Sequence, residues 1–318
     1  MNIEKLFDSA FEKKGKNLFV LPGFESGKLN QDQVRDSYNF QWNLVNKSGE
    51  RDLAWNFQKD WYLKLYGFET EENLKKFLRA KRVILDAGSG LGYKAAWFAE
   101  LAPESVVIGM DISEGALLAA ENFKHIPNLY YVRGDLAQTG FKDGSINYIS
   151  CDQVLQHTED PEKTLREFAR IIDGSGDLAV YVYRKKALPR ELLDDYFRKA
   201  THGYSEAEKM EMSAALTKLG KVLSELNIEI DFPDIPIMGI KGGRQDLQRF
   251  IYWNFVKCFW NEKLGTEISV ATNYDWYSPS NAARYSEEEF KTMLSKTGFG
   301  KINFFRSEEA CYTARASK

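Results

Sequence analysis

From Lys81 onward the chain alternates short apolar runs with longer stretches whose apolar residues recur at helical spacing. The runs at 83–87, 106–110, 129–132, 146–151 and 178–183 have the length and the β-branched and aromatic content of buried strands. The stretches at 94–101, 114–122 and 161–172 read as helices, and Pro161 behind Asp160 has the form of a helix start. Such alternation predicts an α/β fold. The sheet is doubly wound, Rossmann-like and mostly parallel, with helices on both faces and ligands held at the carboxyl ends of its strands.

The pattern changes on either side of this core. Before it, 30–42 predicts a short helix running into an aromatic segment in which Tyr38, Phe40 and Trp42 alternate, followed by Trp55, Phe57, Trp61, Tyr62 and Tyr66. Rings of that size either pack the preface onto the core or, Tyr38 first, close over a ligand. Thr70 then opens a helix with Leu74, Phe77 and Leu78 on one face. After the fifth strand, helices are expected at 188–199, 206–226 and 247–260, with a rigid proline-bearing link at 231–236. Leu247, Ile251, Phe255 and Phe259 share a face of the last of these. An insertion at this point suits an acceptor pocket, a lid or a dimerisation element. Ser286 and Glu289 form a capping box for a helix over 286–297, which Gly298 ends, and 301–305 and 310–314 give a final strand pair. The expected organisation is therefore a helical, aromatic preface (1–80), a Rossmann-like core (81–185), a helical insertion (186–284) and a closing helix with two strands (285–318).

Composition narrows the function. The 318 residues are 43% hydrophobic and 28% charged, a globular balance. A net charge of −3 gives no general attraction to nucleic acid or acidic membrane, and no run is long enough to span a bilayer. The N-terminal residues are polar and lack the apolar centre of a secretory signal. Cys151, Cys258 and Cys311 are far apart, which argues against a disulfide scaffold or a metal site and points to a reduced, cytoplasmic setting.

The chemistry concentrates at 83–92, Val-Ile-Leu-Asp-Ala-Gly-Ser-Gly-Leu-Gly. Gly88, Gly90 and Gly92 allow a tight strand-to-helix turn and let a ligand approach bare main chain, and the following helix presents unpaired N–H groups to an anion. A dinucleotide turn wants a glycine where Tyr93 stands. Asp86, just ahead of the glycines, repels a pyrophosphate but pairs with an ammonium. Together these point to a nucleoside that bears an amino acid. Asp111, at the end of the second strand, is placed to accept from ribose hydroxyls, and Asp135 with Leu136, after the third, to bracket an adenine.

These segments resemble class I S-adenosylmethionine-dependent methyltransferases of the small-molecule type 11 group. The resemblance rests on 83–92, on Val-Ile-Gly-Met-Asp-Ile-Ser at 107–113, on Gly-Asp-Leu at 134–136 and on Cys-Asp-Gln-Val-Leu-Gln-His-Thr-Glu-Asp-Pro at 151–161. It implies a seven-stranded sheet whose last strand is antiparallel, and S-adenosylmethionine as cofactor. Asp86, Ala87, Gly88, Ser89, Gly90 and Gly92 would then face the methionine end, Asp111 and Ile112 the ribose, and Asp135 and Leu136 the adenine, with Cys151 and Tyr38 completing the site. The family often has His-His where this chain has Gln156-His157.

Methyl transfer needs a base only if the acceptor arrives protonated. His157, after the fourth strand, is the candidate, or else it caps a turn; His125 and His202 read as helix-end or loop residues. Gln156, Arg244, Tyr252 and Trp253 are candidates for the acceptor side. Arg244 would fork onto an anionic group, or sit in a solvated basic loop. Tyr252 and Trp253, with Phe259, Trp260 and Trp276, would offer faces to a cation or simply form core. The expected partner is a small-molecule methyl acceptor, with a homodimer possible and no nucleic acid. A cofactor-binding regulator without turnover, or a protein or RNA methyltransferase, is the alternative.

Overall fold

All five residues of strand β3 (Val83–Ala87) are buried, as in a strand covered on both faces. The computed structural model describes residues 3–23, 29–47, 51–306 and 308–318. The chain forms two units, Met1–Arg184 with Ala283–Lys318, and Lys185–Ala282.

The first unit carries β1 (Glu12–Lys14), β2 (Leu18–Val20), β3, β4 (Val106–Asp111), β5 (Leu129–Arg133), β6 (Ile146–Cys151) and β7 (Ile172–Arg184). Its helices are α1 (Leu29–Lys47), α2 (Arg51–Leu65), α3 (Glu71–Arg79), α4 (Tyr93–Leu101), α5 (Gly115–Asn122) and α6 (Pro161–Ile171). The second unit contains α7 (Leu188–Ala200), α8 (Glu206–Glu225), the hairpin β8 (Glu229–Phe232) and β9 (Gly243–Asp246), α9 (Leu247–Asn254) and α10 (Gly265–Tyr277). The polypeptide returns to the first unit with β10 (Arg284–Tyr285), α11 (Glu287–Lys296), β11 (Lys301–Phe305) and β12 (Cys311–Ser317).

The sheet order is β1-β2-β5-β4-β3-β6-β7-β12-β11, with β10 beside β7. Strands β2 to β7 run parallel, while β12 lies antiparallel between β7 and β11. The expected mostly parallel seven-stranded core with an antiparallel last strand is present, enlarged at one edge. Winding runs outward from β3 to β5, then reverses through β6 and β7. The switch point, where a doubly wound sheet opens a crevice, therefore falls between β3 and β6.

Several local expectations are corrected. The preface is not a short helix and an aromatic segment: α1 continues to Lys47, and α2 carries the later rings. Tyr62 of α2 and Tyr66 just after it are buried, and the Tyr62 hydroxyl meets that of Tyr148 on β6 at 2.6 Å. The β1–β2 hairpin adds a parallel neighbour to β5, with Phe19 opposite Val132. The helix expected over 247–260 stops at Asn254 because α10 satisfies the next backbone groups with side chains. The Lys257 N–H donates to the Tyr277 hydroxyl at 3.0 Å, and the Asn273 amide pairs with both N–H and C=O of Phe259. Asp275, Trp276 and Tyr277 form the last part of α10. The capping box at Ser286 and Glu289 forms as expected.

Candidate active site

Three strand ends meet at the glycine turn. Gly88 and Ser89 both donate their N–H to Met110 C=O, at 2.7 and 3.0 Å, which fastens the turn after β3 to the end of β4. Asp111 completes the clamp. One carboxylate oxygen accepts from Gly90 N–H at 2.8 Å, and the other from the N–H and hydroxyl of Ser113 at 2.8 and 2.6 Å. Its backbone carbonyl accepts from Gly134 N–H at 3.0 Å, which brings the Gly-Asp-Leu segment alongside. Asp135 accepts from Ala137 N–H at 2.9 Å, and Leu136 is buried. Ile112 accepts from Arg133 at 3.5 Å. Cys151 ends β6 inside the hydrophobic core, where burial pushes its thiol up.

Side chains lie close to the main chain at all three glycines. All three have positive φ, 79° at Gly88, 49° at Gly90 and 82° at Gly92. A Cβ on Gly92 would lie 2.4 Å from the Tyr131 hydroxyl, so this glycine lets α4 pack on β5. One on Gly88 would lie 2.2 Å from Val154, in the loop after β6, across the switch point. One on Gly90 would lie 2.8 Å from the Trp42 ring. Helix α1 holds Trp42 there through ties along its length: Asn39 accepts from Glu114 N–H at 2.7 Å, and Gln31 from Glu159 N–H at 2.8 Å. Tyr38 stacks on Trp42 at 5.9 Å between ring centres and meets His157 edge-on at 5.6 Å. His157 in turn is 3.2 Å from the Tyr183 hydroxyl.

Beneath the turn lies a charged cluster of which only Asp86 was legible. Lys94 stands 3.2 Å from Asp86 and 3.3 Å from Asp152, and the Tyr66 hydroxyl donates to Asp152 at 2.9 Å. Burial raises the Asp86 carboxyl from 3.8 to about 6; Lys94 opposes that rise, and Asp152 and Asp111 add to it. Two carboxylates against one ammonium leave room for one further cation. Gln153, with φ 63°, is a strained non-glycine residue at the same strand end. Sequence spacing gave no sign of Lys94, Asp152, Tyr66 or Gln153 as site residues.

The remaining candidates separate. Gln156 is fully buried, and neither atom of its amide has a hydrogen-bond partner among the described residues. In the second unit, Arg244 lies on the exposed hairpin, paired with Glu229 at 2.8 Å, and does not join Tyr252 or Trp253. Tyr252 is flanked by Arg190 and Arg249, and Trp253 by Lys186, so the protein's own cations occupy these rings. Among the described residues no helix is long and apolar enough to cross a membrane, and no acid, histidine and cysteine cluster could hold a metal ion.

The doubly wound, mostly parallel sheet is the one that the resemblance to class I methyltransferases implies. Residues 85–180 match the family model described as a methyltransferase domain. A probable S-adenosylmethionine-dependent methyltransferase of Mycobacterium tuberculosis is 33% identical over 99 residues, covering 31% of this chain and 35% of that protein. A trans-aconitate 2-methyltransferase of Deinococcus radiodurans is 30% identical over 99 residues, covering 31% and 37%. The match thus spans well under half the length of these curated relatives. Magnesium protoporphyrin IX methyltransferase of Synechocystis, solved with S-adenosylhomocysteine bound, aligns over 89% of this chain and 97% of its own, at 17% identity and a TM-score of 0.45. The matched segment is a class I S-adenosylmethionine-dependent methyltransferase domain, and its cofactor is S-adenosylmethionine.

The residues present fit that cofactor. Among the described residues, Asp86 has no hydrogen-bond donor other than the Lys94 ammonium beside it, Ser89 Oγ is buried without a partner, and the N-terminus of α4 carries no capping side group. A ligand on the Gly90 main chain meets Trp42 first.

Proposed function

We propose that this protein transfers a methyl group from S-adenosylmethionine to a small-molecule acceptor. The observation that carries the proposal is the fully buried Gln156 amide, unpartnered and adjacent to His157, in the loop that abuts the glycine turn at the switch point. A polar group left unsatisfied in this way costs about 1–3 kcal/mol unless a ligand or water meets it. The relative named for trans-aconitate supports an acceptor of small size.

When bound, the cofactor supplies an electrophilic methyl group, displaced in line with S-adenosylhomocysteine as the leaving product. Asp86 would hold its ammonium, Asp111 its ribose, and Asp135 with Leu136 its adenine. Gln156 would orient the acceptor, and Tyr38 would exclude water. His157 Nε2 would accept the acceptor's proton where there is one, with Tyr183 holding the ring. Alignment of the two reactants is worth about 7–11 kcal/mol, so positioning does most of the work. Assembly into a homodimer belongs to the same reading, supported by Leu219 and Val222 of α8 and Leu226 at its end, all exposed. Sedimentation velocity showing only monomer would remove it.

The test has two stages. Calorimetry with S-adenosylhomocysteine should show saturable binding; no heat with folded protein rejects the cofactor site. Labelled methyl groups should then appear in the small-molecule fraction of a cell extract. Label in protein or RNA, or none, would favour the alternative readings.

A further inference from the structure

Lys94 sits in the first turn of α4, where the positive end of a helix disfavours a cation. Two acids keep it there, and they hold it differently. Its ammonium donates a hydrogen bond to one Asp152 oxygen at 3.3 Å, and the Tyr66 hydroxyl donates to the other at 2.9 Å. The approach to Asp86, at 3.2 Å, is a contact of charges only: neither Asp86 oxygen has an aligned hydrogen-bond partner among the described residues. All three side chains are screened from water, with 14% of Lys94, 9% of Asp152 and none of Asp86 exposed. The pull of the two acids on the ammonium is therefore little weakened by solvent.

The titratable groups facing Asp86 are Lys94 of α4, Asp152 after β6, Asp111 at the end of β4, Tyr131 of β5 and Cys151 of β6. Asp111 is engaged with Gly90 and Ser113, and burial keeps Tyr131 and Cys151 neutral. The acids that act on Lys94 are Asp86 and Asp152. Which of those two takes the directed bond of the ammonium decides how much of Asp86 is left for a ligand.

We propose that Asp152, braced by Tyr66, is a positioning residue for the cofactor: it retains the hydrogen bond of Lys94 and so leaves both Asp86 oxygens to the ammonium of S-adenosylmethionine. The inference rests on the assignment of Asp86 to that ammonium. With Asp152 present, Lys94 keeps a partner when a second ammonium occupies Asp86. With Asp152 neutral, Lys94 turns to Asp86, the acid left beside it, because a buried ammonium without a partner is costly. A neighbour that compensates charge thereby becomes a competitor for the same carboxylate.

Two readouts on the full chain separate this role from a general loss of structure. The first is the carbon-13 titration of the Asp86 carboxyl without ligand, its signal identified by absence in Asp86→Asn. Burial raises its midpoint to about 6, Lys94 opposes the rise and Asp152 adds to it. Asp152→Asn removes the addition and strengthens the opposition, so the midpoint should fall by at least about one pH unit, whereas Lys94→Met should move it up. The second is calorimetric affinity for S-adenosylhomocysteine. At about pH 8, Asp152→Asn should weaken binding about tenfold, because a charged hydrogen bond between Lys94 and Asp86 must now be broken. Adding Lys94→Met to Asp152→Asn should regain at least about fivefold, since the competitor is gone. Asp152→Ser removes the same carboxylate and gives the same two readouts should the asparagine variant not fold. A structural role for Asp152 predicts the reverse, with an unmoved midpoint and a loss that the second substitution deepens. Either of those results, or binding by the single variant within about twofold of the native protein, overturns the proposal. A native protein that binds no S-adenosylhomocysteine overturns the cofactor assignment of Asp86 itself, whatever the midpoints do.

Discussion

Replacing Asp86 with Asn keeps the side chain's shape and removes its charge, which makes it the sharpest probe of the cofactor site. Lys94 lies between Asp86 and Asp152, and the trio carries one net negative charge. The Asp86 carboxyl has a value of about 6 in the folded chain, against 3.8 ordinarily. The folded state thus holds this proton more tightly than the unfolded one. Stability from it is full below pH 3.8 and is lost as pH rises through 6, by about 3 kcal/mol. A bound ammonium needs the ionised form, so the dependence of cofactor affinity has the opposite sign. Affinity for S-adenosylhomocysteine should fall below pH 6, by at most about tenfold at about pH 5. Loss of a charged hydrogen bond costs about 1.5–3 kcal/mol, so Asp86→Asn should weaken binding roughly ten- to a hundredfold and flatten its pH dependence. Calorimetry from about pH 5 to about pH 8, with melts of the ligand-free protein over the same range, measures both effects. A variant that binds within twofold of the native protein, or a native affinity independent of pH, refutes the assignment of Asp86 to the ammonium.

Four further substitutions probe separate parts of the argument. Gly88→Ala forces a Cβ to 2.2 Å from Val154 at φ 79°, and should destabilise the fold by about 2–4 kcal/mol; an unchanged melting temperature would show that the loop after β6 is free to move aside. Trp42→Ala uncovers the Gly90 main chain and should strengthen S-adenosylhomocysteine binding about five- to thirtyfold, because about 1–2 kcal/mol of ring burial no longer has to be disrupted; weaker binding would mean that the ring packs on the ligand instead. His157→Asn should lower kcat by about 10²–10⁴ with KM little changed if the acceptor arrives protonated, whereas equal turnover would leave His157 a structural partner of Tyr183. Asp194→Asn strands Arg190 in a buried position and should cost about 3–5 kcal/mol in a denaturant titration, while a loss under about 1 kcal/mol would show that Arg190 finds another partner.

What was legible in the sequence follows from how many faces each element buries. β3 and β4 are covered on both sides, so they appear as unbroken apolar runs. β1 is three exposed residues and β2 three mostly buried ones, both too short to give a period, although Phe19 is fully buried. The rings of α2 and of Tyr66 just after it were visible but the helix was not, because Trp55, Trp61, Tyr62 and Tyr66 contact partners in several directions: Trp97, Tyr181, Tyr148 and Asp152. Residues 255–260 continue a helical pattern, and the side chains of α10 override it. Asp86 and Asp111 could be placed beside the glycine turn because they lie at the ends of the apolar runs that form β3 and β4. Lys94 and Asp152 could not, since what matters is their meeting across the switch point, 58 residues apart in sequence.

The three glycines illustrate the same limit within ten residues. Their spacing in the sequence makes them equivalent as points of bare main chain. Packing makes them unequal. Gly92 is closed by Tyr131 and Ala119, side chains of the sheet and of α5, and Gly88 by Val154. Those neighbours belong to the core or to a loop tied to it, so the absence of Cβ at these two positions serves the fold. At Gly90 the neighbour is Trp42, a half-buried ring on a helix fastened to the core by side-chain bonds from Gln31 and Asn39. Displacing it breaks no strand and opens no core. A ligand reaching this turn therefore has one glycine face it can uncover at modest cost, and that glycine is the one whose N–H Asp111 already orients.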